Sequence, residues 1–278
     1  MSKFSFSKIS IVESLSDGEK KTGELLYDDL NMLEIFHEKG ITLQFTPISN
    51  RIELENHIEY LARDAQERNE YPILHIEAHG SDDKQCLVLS SGEFINWFEL
   101  EDMFRKLNVA TKCNLLVVMA MCFGAYASTV ISLLDRAPFW GIVGPEKEIL
   151  PEVVFRNLKS FYADFFENGP SANSLKTLSP ENNSEMKFIT GEWLFVKAYE
   201  YYERNLCNEK VLQERAERLA EKLIAQGATN LPSIDLIKLN IGPQGREFFR
   251  QVQRHFFMVD LYPENVDKIS SSYSHLNL

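Results

Sequence analysis

Short apolar runs alternate with helix-length amphipathic segments through the first 170 residues, and that alternation restricts the chain to an α/β fold. Lys8 to Val12 reads as a short buried strand. Gly23 to Lys39 carries Leu26, Leu30, Leu33 and Phe36 at helical spacing before a stop at Gly40. Ile41 to Ile48 alternates apolar and polar residues as a strand does, and Glu53 to Asn69 is an amphipathic helix through Leu54, Ile58, Leu61 and Ala65. A third strand opens at Pro72 and runs to His79-Gly80. After a polar loop, Ser81 to Lys84, a hairpin is predicted over Cys86 to Ile95, with its turn at Ser90-Ser91-Gly92. There follow a helix from Asn96 to Leu107, a strand from Leu115 to Cys122, a helix from Tyr126 to Asp135, and a strand from Phe139 to Val143 closed by Gly144-Pro145. Pro151 to Glu167 is a helix with Phe155, Phe161, Tyr162, Phe165 and Phe166 on or near one face, read as core packing. Strand then helix, repeated, predicts a mostly parallel sheet with helices on both faces.

Beyond Gly169-Pro170 the pattern changes. Ser179 to Glu185 is a polar, Asn-rich loop, and the rest of the chain is mostly helical: Glu192 to Ala225 with a break near Asn205 to Asn208, then Gly242 to Asp260, then a loose tail from Ser270. The expected division is a sheet domain over 1–190 and a helical C-terminal region over 191–278, suited to a lid, a docking surface or a regulatory element.

The formal net charge is −12, and residues 1–150 hold 14 Lys and Arg against 24 Asp and Glu, a net of −10. Phosphate binding needs clustered cations, so nucleic acid is not expected as a direct partner. The longest apolar stretch, Leu115 to Ala127, is too short for a membrane span, and Met1 to Lys8 has no apolar core of a signal peptide. Four cysteines, Cys86, Cys113, Cys122 and Cys207, show no CxxC spacing, which fits reduced thiols in a cytoplasmic protein. The glycine pair Gly141 and Gly144 has no following lysine and predicts no nucleotide site.

The chemistry concentrates at two strand ends. If the run ending in His79-Gly80 and the run ending in Cys122-Phe123-Gly124 are neighbours in a parallel sheet, imidazole and thiol meet at one rim, where open α/β sheets place ligands. A cysteine attacks carbonyls as thiolate, and an imidazole base can take the thiol proton and return it to a leaving amine. Gly80 and Cys122 would offer backbone N–H groups to the oxyanion. A separate expectation is a metal-dependent hydrolase: His75, Glu77 and His79 alternate along one strand and so share a face as three possible ligands.

A hydrophobic strand ending in His-Gly, followed about 40 residues later by one ending in Cys-x-Gly, resembles the caspase-like cysteine peptidases of clan CD, nearest to the bacterial CHAT-type peptidases. The Leu87-Val88-Leu89 hairpin, Gly141-Ile142-Val143-Gly144 and the helix from Val153 to Phe166 add to the likeness, which covers about residues 5 to 190. The resemblance implies a caspase-like sheet, a His79 and Cys122 dyad, an oxyanion hole from Gly80 and Cys122, and no metal or organic cofactor. It also implies a protein or peptide substrate and activation by a partner protein or by loop ordering, within bacterial antiviral defence or cell-death circuits. Relatives that prefer a charged P1 residue often carry a polar or acidic side chain two positions before the nucleophile, where this chain has Ala120. Asp17, Glu146 and Glu148 are the remaining acidic candidates for lining the substrate pocket, and a smaller or apolar P1 residue is equally compatible. The other reading of the same residues is a non-enzymatic caspase-like scaffold.

Overall fold

Alternation along the strands decides what each face of the sheet meets. In a computed structural model that describes residues 5–169, 178, 185–206, 208–228 and 230–269, six strands form the main sheet. They are β1 (Lys8–Glu13), β2 (Thr42–Pro47), β3 (Pro72–Glu77), β7 (Leu116–Ala120), β8 (Gly141–Pro145) and β9 (Met186–Thr190), in the order β2-β1-β3-β7-β8-β9. The first five are parallel, and β9 runs antiparallel against β8 at the edge. A small second sheet joins β4 (His79–Gly80), β5 (Cys86–Val88) and β6 (Phe94–Asn96).

Ile9, Ile11, Ile73, Leu116 and Val118 point to one face and share a core with Leu26, Leu30 and Phe36 of helices α1 (Thr22–Asn31) and α2 (Glu34–Glu38). Leu158, Phe161, Tyr162 and Phe165 of α5 (Pro151–Asn168) complete it, so the aromatic stripe is core packing. The intervening residues face the other way: Lys8 Nζ reaches Asp64 and Ser10 Oγ reaches His57 Nε2, both on α3 (Arg51–Arg68), at 2.9 and 2.7 Å. Helix α4 (Trp97–Ala110) packs beside α3 and begins at a capping box in which Asn96 Oδ1 accepts from Glu99 N–H and Glu99 Oε2 accepts from Asn96 N–H. The α/β class with flanking helices is therefore as the sequence predicts.

Several local expectations are corrected. Gly23 to Lys39 is not one helix: Leu33 is extended, and the break turns Phe36 into the core. Tyr126 to Asp135 is not a helix either, because after a 3-10 turn over Gly124–Ser128 the β-branched run Thr129-Val130-Ile131 does not propagate it. Strand β8 extends through Gly144-Pro145 instead of ending there, held by β9, which the sequence pattern does not foretell.

The chain divides into two compact units, Met1–Gly191 and Glu192–Leu278. The second holds helices Gly191–Leu206, Glu209–Ala225 and Ile234–Phe256, with Phe195 of the first against Phe256 and Phe257 at the end of the third, and the second helix packed on the third. The last of these helices starts well before Gly242, where the sequence places its beginning. The polar loop of 179–184, Cys207 and the tail from Ser270 lie outside the described residues. No helix among the described residues is long and apolar enough to cross a membrane.

Candidate active site

Strands β3 and β7 are parallel neighbours with Glu77 opposite Ala120, and the chain leaves both at the same carboxyl-terminal rim. Neither chemical residue sits on its strand. His79 follows a break at Ala78 and belongs to β4, paired with β5, and Cys122 lies two residues past β7.

What brings the two segments together is the absence of a side chain at Gly80. A Cβ built there would lie 1.9 Å from the carbonyl oxygen of Cys122, so only glycine lets the backbones approach this closely. Beyond Cys122 the chain reverses sharply. Phe123 takes a left-handed conformation with φ 62°, and Gly124 folds back so closely that a Cβ on it would fall 2.6 Å from Met119 Cβ. The N–H of Ser81 donates to the Cys86 carbonyl at 2.9 Å, which makes Ser81 and Cys86 a bonded pair of the β4–β5 ladder. By the alternation of antiparallel pairs, the adjacent Gly80–Leu87 pair is of the non-bonded kind, and the Gly80 N–H points away from β5.

His79 and Cys122 line one cleft of about 110 Å3, together with Glu19, Thr22, Glu77 and Ala120. The His79 side chain is 55% exposed, and its Nε2 lies 2.7 Å from Glu19 Oε1. Burial presses the Glu19 carboxyl upward, but hydrogen bonds from the Ser16 N–H and from His79 outweigh it and hold its pKa below the ordinary glutamate value. The thiol of Cys122 donates to the Ile149 carbonyl at 3.7 Å. In this arrangement thiol and imidazole are each bonded to a third group instead of to one another.

Beneath the cleft runs a buried polar chain. His75 Nε2 and Glu77 Oε1 are 3.0 Å apart, Tyr162 Oη lies 2.9 Å from His75 Nδ1, and Thr22 Oγ1 donates to Glu77 Oε2 at 2.8 Å. Burial raises the pKa of Tyr162 well above the ordinary phenol value, so its hydroxyl stays protonated, and His75 bridges it to the Glu77 carboxyl, the donor at each ring nitrogen being set by the tautomer. Both nitrogens of His75 are thus engaged within the core, while His79 turns out to the cleft and to Glu19. His75, Glu77 and His79 do not converge as three ligands: among the described residues no group of three or more His, Cys, Asp or Glu side chains is placed to hold an ion.

Of the acidic candidates, Asp17 lines a second cleft of about 480 Å3 with Glu13 and Glu24, and Leu15 belongs to both clefts. Glu146 and Glu148 line neither: Glu146 pairs with Lys187 at 3.7 Å, and Glu148 is an exposed loop residue. Cys113 is buried, and Cys86 is half-buried in β5 with its thiol pKa raised by burial. Sequence reasoning misses Glu19, Thr22 and Ile149. Glu19 sits in the polar stretch Asp17-Gly18-Glu19-Lys20-Lys21, where nothing in the order of charges singles out the one that meets the imidazole.

Compared with protein-family models and with curated proteins, the chain matches none.

Proposed function

We propose that the chain is a cysteine endopeptidase of caspase-like type, with Cys122 as nucleophile and His79 as general base. The observation that carries the reading is the backbone contact of Gly80 with Cys122, which ties imidazole and thiol to one cleft at the carboxyl-terminal rim of the sheet. His79 takes the thiol proton as Sγ bonds to the scissile carbonyl carbon, and the N–H groups of Gly80 and Cys122 receive the developing oxyanion. The tetrahedral centre collapses to a thioester as the C–N bond breaks, and the imidazolium hands its proton to the leaving amine. Water, deprotonated by the same imidazole, then cleaves the thioester to acid and thiol. Every proton moved begins and ends on groups at the site or on water.

Likeness to CHAT-type peptidases extends the proposal to a cytoplasmic enzyme of a bacterial defence or cell-death circuit, switched on by a partner. Glu19 on the imidazole and Ile149 on the thiol describe a resting arrangement that such a switch would rearrange. The same two hydrogen bonds favour a second reading, a non-enzymatic scaffold in which the pair never engages. Labelling with iodoacetamide near neutral pH separates them. An enzyme gives fast modification of Cys122, at least about tenfold above Cys86 and lost in His79→Ala, and cleaves a peptide library only when Cys122 is present. Equal slow labelling of all thiols, with no cleavage in any condition, overturns the peptidase.

A further inference from the structure

Across the rim of the sheet, Glu13, Glu77 and Ala120 stand in register on adjacent strands, and by the pleat all three side chains face α1 and α5. Glu13 and Glu77 are both buried, and a Cβ on Gly23 would touch each of them, at 3.0 Å from Glu13 Oε2 and from Glu77 Cγ. Two carboxylates are therefore neighbours in the protein interior. Glu13 is held by the N–H groups of Gly23 and Glu24, and Glu77 by His75 and Thr22; among the described residues neither has an Arg or Lys in hydrogen-bond contact. Beside Glu77, Ala120 contributes only a methyl group, and Glu77, its side chain 4% exposed, is among the residues that line the cleft beside Cys122. The one lysine among the described residues on that cleft, Lys20, is half-exposed and paired with Glu152 at 3.3 Å, and Glu19 adds a second carboxylate at the rim.

Building on the peptidase reading, we propose that this cleft receives the side chain of the residue whose carbonyl Cys122 attacks, that the residue is Lys or Arg, and that Glu77 sets the choice. Among the described residues each Glu77 oxygen has one hydrogen bond, which leaves a further lone pair for a cation, and a long aliphatic stem is what a narrow cleft with Ala120, Met121 and Val154 on its walls accommodates. Asp17, in the neighbouring cleft, and Glu146 and Glu148, outside both, are displaced from this role.

The test compares a peptidyl-arginine chloromethyl ketone with its leucine counterpart on the full chain, by the rate at which each alkylates Cys122. In this reaction the Sγ–C bond forms as chloride leaves, so no turnover is needed. An arginine-to-leucine rate ratio of at least about 30 is expected, falling by at least about tenfold in Glu77→Gln. Should Glu77→Gln not fold, as read by its melting curve, Thr22→Val removes the hydroxyl that orients the carboxylate and is expected to lower the ratio several-fold. A wild-type ratio of one or less, with Cys122 still labelled in a His79-dependent way, overturns the inference and leaves the peptidase standing. A high ratio that neither variant lowers removes Glu77 from the role. Labelling of Cys122 no faster than Cys86 by either reagent brings down both readings together.

Discussion

An alanine at position 80 would put its methyl carbon 1.9 Å from the carbonyl oxygen of Cys122, and the atom it meets is backbone on a segment pinned by the fold-back of Gly124 onto β7. The clash cannot relax through a flexible side chain, so β4 must separate from the Cys122 turn. Overpacking of this kind costs about 1–3 kcal/mol, which lowers Tm by several degrees in a domain of this size. Gly80→Ala is expected to show that drop in a thermal melt and, with it, slower alkylation of Cys122; a variant that melts and labels like the wild type would disprove the contact. Residue by residue, the site is legible where chemistry and strand ends coincide. His79 and Cys122 stand out because each closes an apolar run, whereas Glu19 reaches the imidazole through the path of a polar turn, which no period encodes. Alternation makes His75 and Glu77 look like ligands, yet it says only which face they share; Tyr162, 87 residues away from His75 in sequence, decides what they do there.

At the scale of elements, long periodic segments are legible in the sequence, and short or irregular ones are not. Helix α4 is an example of the first kind: Asn96 followed three residues later by Glu99 signals a helix start, and both halves of the capping box form at 3.0 Å. Asn96→Ala removes an acceptor for the Glu99 N–H at the helix start and is expected to cost about 1 kcal/mol, seen as a lower urea midpoint at unchanged slope. Asn96→Asp, which keeps the acceptor, should recover most of it. Equal midpoints for the alanine variant and the wild type would remove the cap from the account of α4. Strand β9 is an example of the second kind. Its five residues, Met186–Thr190, follow a polar stretch and run antiparallel to β8, against the strand–helix–strand rule that orders the rest of the sheet. The expected helix at 126–135 fails because its apolar spacing is real but its propensity is not, the β-branched run weighing against it.

Over the whole molecule, acid is concentrated in residues 1–150, and several of those carboxylates gather at the rim: Glu13, Asp17, Glu19, Glu24 and Glu77 all line the two clefts. The opposite face of the sheet carries buried polar groups of a different kind. Lys8, nearly inaccessible, is paired with Asp64 and Glu70 at 2.9 and 2.8 Å, and these hydrogen bonds outweigh the effect of burial, raising its pKa and keeping it charged. Nearby, His57 is buried against Ser10, and burial first, then the charge of Lys8, lowers its pKa to about 4. An imidazole with a lowered value in the folded state stays neutral while the unfolded chain, with a value of about 6.5, takes up a proton. Its stabilising effect is therefore complete above about pH 6.5 and declines as pH falls toward 4, by roughly 3 kcal/mol in all. Glu13 acts in the opposite sense, since burial raises its pKa, so the two must be separated by a variant and not by the raw pH curve. Urea unfolding at pH 7.5, 5.5 and 4.5 for wild type and His57→Gln makes the separation, because glutamine can still bond to Ser10 but cannot titrate. The wild type should lose stability relative to His57→Gln as pH falls, with most of the difference appearing between pH 6.5 and 4.5. Parallel curves would mean that His57 takes up its proton as readily in the folded chain as in the unfolded one, so that neither burial nor the charge of Lys8 lowers its pKa.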